Sequence, residues 1–309
     1  MTGDSHSHHN HSIELTKASK TRLLFSVFLT IVFMFLEIFV GVIADSLALL
    51  SDAAHMLNDV ASLLLALITI RLLERQPTYS FTYGYRRAEV FSGFINAISL
   101  LFIAAYILYE AFERAVYGFK FEVQGGLVLI VGVIGLLVNI FVVLLLLPVK
   151  EGSLNIEGAF HHVMADILGS LGAIIAGLGI MLFQAYWLDT FVSLFIVLLI
   201  SKNAFSLLLR SSKVFMEVSP DNVSTKRVLE EIKALPGVIN IHDFHAWILS
   251  TNYYVVTAHV ITEKLENIPL VTKQIHKILH NHGFNHVTVQ VEIEQCLEDH
   301  DCVSDSPFL

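Results

Sequence analysis

The sequence predicts an α-helical membrane protein of six transmembrane helices followed by a small α/β domain of order αββαβ. Three observations predict it. First, 55% of the 309 residues are apolar and only 15% are charged, against about 25% charged in a soluble chain. Second, the apolar surplus falls in long runs between Leu23 and Leu209, each close to the ~20 residues a helix needs to cross a bilayer. Third, from Ser211 onward the composition is that of a soluble domain, with 13 Asp/Glu against 7 Lys/Arg in 211–309. That acidic balance argues against nucleic acid as a partner.

The chain divides into a histidine-containing tail (1–20), a membrane domain (21–210), an α/β domain (211–295) and a C-terminal tail (296–309). The first tail carries His6, His8, His9 and His11 and shows no cleavable signal peptide. It reads either as a polar start or as a loose metal-collecting segment. The spans run approximately 23–43, 46–70, 88–112, 125–148, 158–184 and 187–209, with short connections that make neighbours antiparallel. Lys17, Lys20 and Arg22 precede the first span, Arg71, Arg75, Arg86 and Arg87 flank the 2–3 connection, and Lys150, Arg210 and Lys213 lie on the same side. Only Arg114 and Lys120 lie opposite. This asymmetry places both termini in the cytoplasm.

Gly132, Gly135, Gly172, Gly177 and Gly179 allow close helix packing. Asn96 and Asn139 read as hydrogen-bonding partners of neighbouring helices, and Glu37 has no spacing partner that assigns it a role. In the α/β domain, Val223 to Leu235 reads as an amphipathic helix closed by Pro236-Gly237. Val238–Leu249 and Tyr253–Thr262 read as strands joined by a turn at Ser250-Thr251-Asn252. A second helix runs from Ile268 to His282, and His286 to Glu294 alternates as a half-buried strand does. The order fits an open sheet with helices on one face.

The chemistry centres on Asp52-Ala53-Ala54-His55-Met56-Leu57-Asn58-Asp59. His55 and Asp59 are four residues apart and share a helix face, with Asp52 near the same stripe. His162 and Asp166 repeat the spacing in the fifth span. Ionisable groups at the bilayer centre cost roughly 2.5–3.5 kcal/mol each, so four of them need partners or a function. Internal His–Asp ion pairs are one solution. Two copies at the same spacing favour a convergent site of two imidazoles and two carboxylates, a set that suits Zn2+. Metal binding requires neutral imidazole and ionised carboxylate, so protons compete with the metal, and histidine titrates in the useful range. His161 is turned over 100° from Asp166 around the helix, which favours His162 as the ligand. A metalloenzyme, with Asp52 as its one base, and a membrane-bound zinc sensor are the rival classes.

At these residues the chain resembles the cation diffusion facilitator family, in its bacterial zinc-exporting branch. The resemblance rests on Ser46–Asp59, on His162 with Asp166, and on Ile241-His242-Asp243-Phe244-His245-Ala246-Trp247, Ala258-His259-Val260 and Val287–Glu292. It implies a homodimer in the bacterial inner membrane, six helices per subunit with a cytoplasmic ferredoxin-like domain, and Zn2+ export (with Cd2+ or Co2+ as alternatives) against protons by alternating access. His55, Asp59, His162 and Asp166 match the family's transport site. His242, His259 and Glu292 match positions that bind zinc in relatives as a structural or regulatory ligand. His245 and His286 read as strand histidines on a solvated face, His276, His280 and His282 as helix-end residues favoured by the dipole, and Trp247 as core or dimer contact. The 149–157 connection lacks histidine and the 72–86 connection lacks both His and Asp, so further loop sites are not expected. Cys296 and Cys302 do not have zinc-pair spacing.

Overall fold

A computed structural model describes residues 17–118, 122–147 and 154–293; the side chains of 17–20, 23, 154–162 and 165 lie outside the described set. The histidines at 6, 8, 9 and 11, Lys120, Lys150, Cys296 and Cys302 fall outside the described residues, as do the side chains of Lys17, Lys20, His161 and His162. Six helices are long and apolar enough to cross a membrane: α1 (Lys17–Ile43), α2 (Leu47–Leu73), α3 (Arg87–Val116), α4 (Gly125–Leu146), α5 (Leu154–Phe183) and α6 (Trp187–Phe215). They expose large apolar side chains such as Phe28, Phe35, Phe102 and Phe112. That arrangement is stable only where the surrounding solvent is itself apolar. The chain is therefore a multi-pass membrane protein. It forms two compact units, one from Met1–Leu63 and Ile98–Ala204, the other from Leu64–Ala97 and Phe205–Leu309.

In the first unit, α4 and α5 approach backbone to backbone at glycines. A Cβ built on Gly177 lies 2.6 Å from the Leu129 nitrogen and 2.9 Å from the Gly125 carbonyl. One on Gly132 lies 3.0 Å from the Ile174 nitrogen. Asn139 donates to Ser170 Oγ across the same pair at 3.2 Å, as its position at membrane depth led us to expect. Gly177→Val is expected to cost about 1–3 kcal/mol through overpacking, seen as a lowered melting temperature of the detergent-solubilised protein. Gly126→Ala, which meets nothing within 4 Å, should melt like wild type.

The N-terminal end of α2 is capped from another helix. Asp189, fully buried in the first turn of α6, accepts from Leu47 N (2.7 Å), Ala48 N (3.4 Å) and Ser46 Oγ. Arg114 of α3, also buried, reaches Asp189 at 3.7 Å and donates to Asp45 Oδ1 and the Asp45 carbonyl at 2.9 Å each. One carboxylate thus satisfies two of the donors that a helix start leaves orphaned, and Ser46 Oγ takes the third, from Leu49 N, at 3.2 Å.

In the second unit, α7 (Thr225–Lys233) starts at an N-cap Ser224 that accepts from Arg227 N. β1 (Val238–Ser250) pairs antiparallel with β2 (Tyr253–Thr262), which pairs parallel with β3 (His286–Glu292) after a crossover through α8 (Ile268–Asn281). Val228, Ile232, Val271, Ile275 and Leu279 of the helices pack on Ile241, Phe244, Val256, Ala258 and Val260 of the sheet. The elements match the expected αββαβ order, and both helices share one face. His282, expected to need only the helix dipole, also donates to Glu231 at 2.9 Å and pins α8 to α7. That hydrogen bond holds the Glu231 carboxyl below the ordinary glutamate range. A lowered folded-state pKa contributes stability above the ordinary value of about 4.3, lost as pH falls through the lowered one. Glu231→Gln should therefore melt slightly lower than wild type at pH 7, with the difference disappearing in acid melts.

The connection between α2 and α3 belongs to this unit and packs on the sheet. Arg86 lies 3.9 Å over the Tyr253 ring, Tyr83 meets His286 edge-on, and Arg87 pairs with Glu217 at 2.6 Å. His286 is exposed, as its alternation implied, yet its ring has this aromatic neighbour.

Candidate metal centres

The intramembrane centre is built on α2 and α5. Both helices form because lipid cannot satisfy an open backbone, so apolar runs of this length have no other solution. One turn of α2 places His55 Nε2 3.5 Å from Asp59 Oδ2. A cavity of about 540 Å³ within the first unit is lined by Asp52, His55, Asp166 and Gly169 together with apolar residues of α5 and α6. Asp166 is 5% exposed and Asp52 6%. The structure thus brings His55 of α2 and Asp166 of α5 to one cavity, and Asp59 joins them through its contact with His55. His162 lies on α5 one turn before Asp166.

Two more carboxyl groups stand beside this set. Glu37 of α1, 2% exposed, hydrogen-bonds Asp52. Its Oε2 has no hydrogen-bond partner among the described residues. Asp52 in turn lies against α5, where a Cβ on Gly169 would meet its carboxylate oxygens at 2.9 and 3.0 Å. Sequence reasoning left Glu37 without a role. The one available signal was a carboxylate inside an apolar run, and nothing in the spacing pairs position 37 with 52.

The second centre lies on the face of the sheet opposite the helices. His242 on β1 is directly paired with His259 on β2, and their rings are 5.3 Å apart. Glu292 ends β3, with His259 Nδ1 at 3.0 Å from its Oε1 and His242 Nε2 at 3.8 Å from its Oε2. One ligand atom from each of the three lies within 4.8 Å of the others. Both His242 nitrogens, His259 Nδ1 and Glu292 Oε2 are buried and make no hydrogen bond among the described residues. Buried polar atoms that converge without hydrogen-bonding one another are the arrangement a cation satisfies. His245, on the same face, is exposed and hydrogen-bonds Asp243. Trp247 is half-buried and lines a separate cavity with Asp243, Phe244 and His245.

Comparison with known proteins gives the context of both centres. Residues 23–216 match the cation efflux transmembrane domain, and residues 220–294 match the cytoplasmic domain of cation efflux proteins. A "Cadmium, cobalt and zinc/H(+)-K(+) antiporter" of Bacillus subtilis (strain 168) is 35% identical over 291 residues, covering 93% of this chain and 92% of that protein. "Metal cation efflux system protein CzcD" of Cupriavidus metallidurans is 35% identical over 289 residues, covering 93% and 90%. "Zinc transporter ZitB" of Escherichia coli (strain K12) is 34% identical over 296 residues, covering 94% of each. Six spans, a helix-backed three-stranded sheet and a family match on both sides of residue 217 lead to one assignment: the chain belongs to the cation diffusion facilitator, or cation efflux, family of membrane transporters.

Proposed function

We propose that the chain is a secondary active transporter that exports Zn2+, with Cd2+ and Co2+ as further cargo, from the cytoplasm in exchange for protons. The observation that carries this reading is the shared cavity of His55 of α2 and Asp166 of α5 at membrane depth, with Asp59 3.5 Å from His55. The printed names of the relatives, which include zinc, cadmium and cobalt and one H(+)-K(+) antiporter, support it. His162 completes the set on sequence grounds, one turn from Asp166 on the same helix. Two imidazoles and two carboxylates make a tetrahedral site for a borderline-soft divalent ion. Protons entering from the outer side neutralise the carboxylates, charge the imidazoles and displace the cation outward. Deprotonation towards the cytoplasm restores the site, so alternating access couples the two flows.

The remaining assignments follow the same reading. The protein sits as a homodimer in a bacterial inner membrane, with the tail 1–20 and the domain 211–295 in the cytoplasm, the 21–210 segment in the bilayer and 296–309 as a final tail. The basic residues flanking the spans support that orientation. His242, His259 and Glu292 hold zinc in the cytoplasmic domain as a structural or regulatory ligand, supported by their unpaired, converging atoms. The test is Zn2+ flux into proteoliposomes. An imposed pH gradient is expected to drive uptake, and dissipating it with a protonophore to stop it. Flux indifferent to the gradient overturns the coupling.

A further inference from the structure

In a regular strand, residues three apart point to opposite faces. His242 and His245 are three apart on β1, yet both leave the helix-packed face, which Ile241 and Phe244 occupy. The register explains how. His242 pairs with His259 and His245 with Thr257, so three steps on β1 match two on β2. The extra residue is a β-bulge, and Asp243 sits in it with φ +50°. Left-handed backbone is uncommon for a residue other than glycine, and bulges of this kind re-aim a side chain.

The side chain that the bulge aims is a carboxylate. Asp243 Oδ1 is 2.7 Å from His245 Nε2, and Asp243 Oδ2 is 3.7 Å from His259 Nε2. The two nitrogens of His259 thus face two different carboxylates: Nδ1 faces Glu292 and the inner ligand group, Nε2 faces Asp243. Closing the longer contact to hydrogen-bond length takes under about 1 Å. A histidine that donates from one nitrogen has its tautomer fixed and offers the other nitrogen as a lone pair.

We propose that Asp243 is a positioning residue of the cytoplasmic metal centre: displayed by the β-bulge and steadied by His245, it holds His259 as the Nε2–H tautomer, with Nδ1 presented to a divalent cation. The inference rests on the reading of His242, His259 and Glu292 as zinc ligands. Asp243 itself stays outside the coordination shell. The left-handed backbone is what makes the arrangement testable, because asparagine and glycine both accept it.

The experiment is Zn2+ titration of the full-length detergent-solubilised protein in an Asp166→Ala background, which removes the intramembrane centre, combined with 15N NMR of the His259 ring assigned by its loss in His259→Ala. Asp243→Gly is expected to weaken zinc binding about 10–100-fold, the range for loss of a partner behind a metal ligand. Zinc stoichiometry should not change, and the metal-free His259 ring should lose its Nε2–H signature. Asp243→Asn keeps an acceptor oxygen and should bind closer to wild type. Wild-type affinity and tautomer in Asp243→Gly, with zinc binding lost in His259→Ala, overturns the positioning role and leaves the site intact. Loss of a whole zinc equivalent in Asp243→Gly overturns it in favour of direct ligation. Wild-type zinc binding in His259→Ala removes the site itself and the inference with it.

Discussion

Asp166→Ala is expected to reduce gradient-driven Zn2+ flux in proteoliposomes to the leak of empty vesicles. The side chain is 5% exposed and lines the cavity that also holds His55 and Asp52. Loss of a group that merely orients a metal ligand costs about 10–100-fold in affinity. In the proposed four-ligand site, loss of a ligand should exceed that and also leave the charge of Zn2+ short by one carboxylate in a medium of low dielectric. The fold should survive, because alanine fits an α-helix and the space opens onto a cavity already present. A melting temperature near wild type with flux abolished separates chemistry from folding. Wild-type flux in a folded Asp166→Ala protein would remove the intramembrane centre from the transport path. Asp59→Ala should behave in the same way, with His55 losing its partner one turn away.

The largest loss of stability is expected at Asp189. Asp189→Leu leaves Ser46 and the Leu47 and Ala48 amides without the acceptor they share, and leaves buried Arg114 with less negative charge. Breaking a buried ion pair from one side costs about 3–5 kcal/mol, and removing a helix cap about 0.5–2. The detergent-solubilised variant should unfold well below the wild-type temperature. Arg114→Met should cost less, since Asp189 keeps its donors from Ser46, Leu47 and Ala48. Asp189→Asn should fall between, keeping one oxygen for the Leu47 amide. The ordering is the sharp part of the prediction. Arg114→Met falling below Asp189→Leu in melting temperature would mean that charge pairing, not capping, dominates at this corner.

The spans and strands were legible because each is imposed by its solvent. Lipid admits only long apolar helices here, and a one-sided sheet must alternate. Residues 238–262 therefore give two strands and a turn at the expected positions, with Asn252 taking the left-handed backbone of the turn. The repeated His-x3-Asp spacing was legible for a similar reason, since one helical turn is a fixed ruler. Contacts between distant segments were not. Nothing in the chain pairs Glu37 with Asp52, Arg114 with Asp189, or His282 with Glu231, because each pair depends on how helices cross. The face shared by His242 and His245 was hidden for another reason. Strict alternation sends residues three apart to opposite sides, and only the extra residue at Asp243 brings them together.

The borrowed cap also bears on how the chain is made. The acceptor for the start of α2 lies 143 residues later than Ser46, at the beginning of the last span. During synthesis the Leu47 and Ala48 amides lack this acceptor until the first five of the six spans have been made. A nascent chain stopped before α6 cannot close the corner at the start of α2, however well its earlier helices have inserted. Supplying α6 with the C-terminal domain as a separate fragment should therefore complete a truncated protein, with Asp189 of the fragment providing what the first piece lacks.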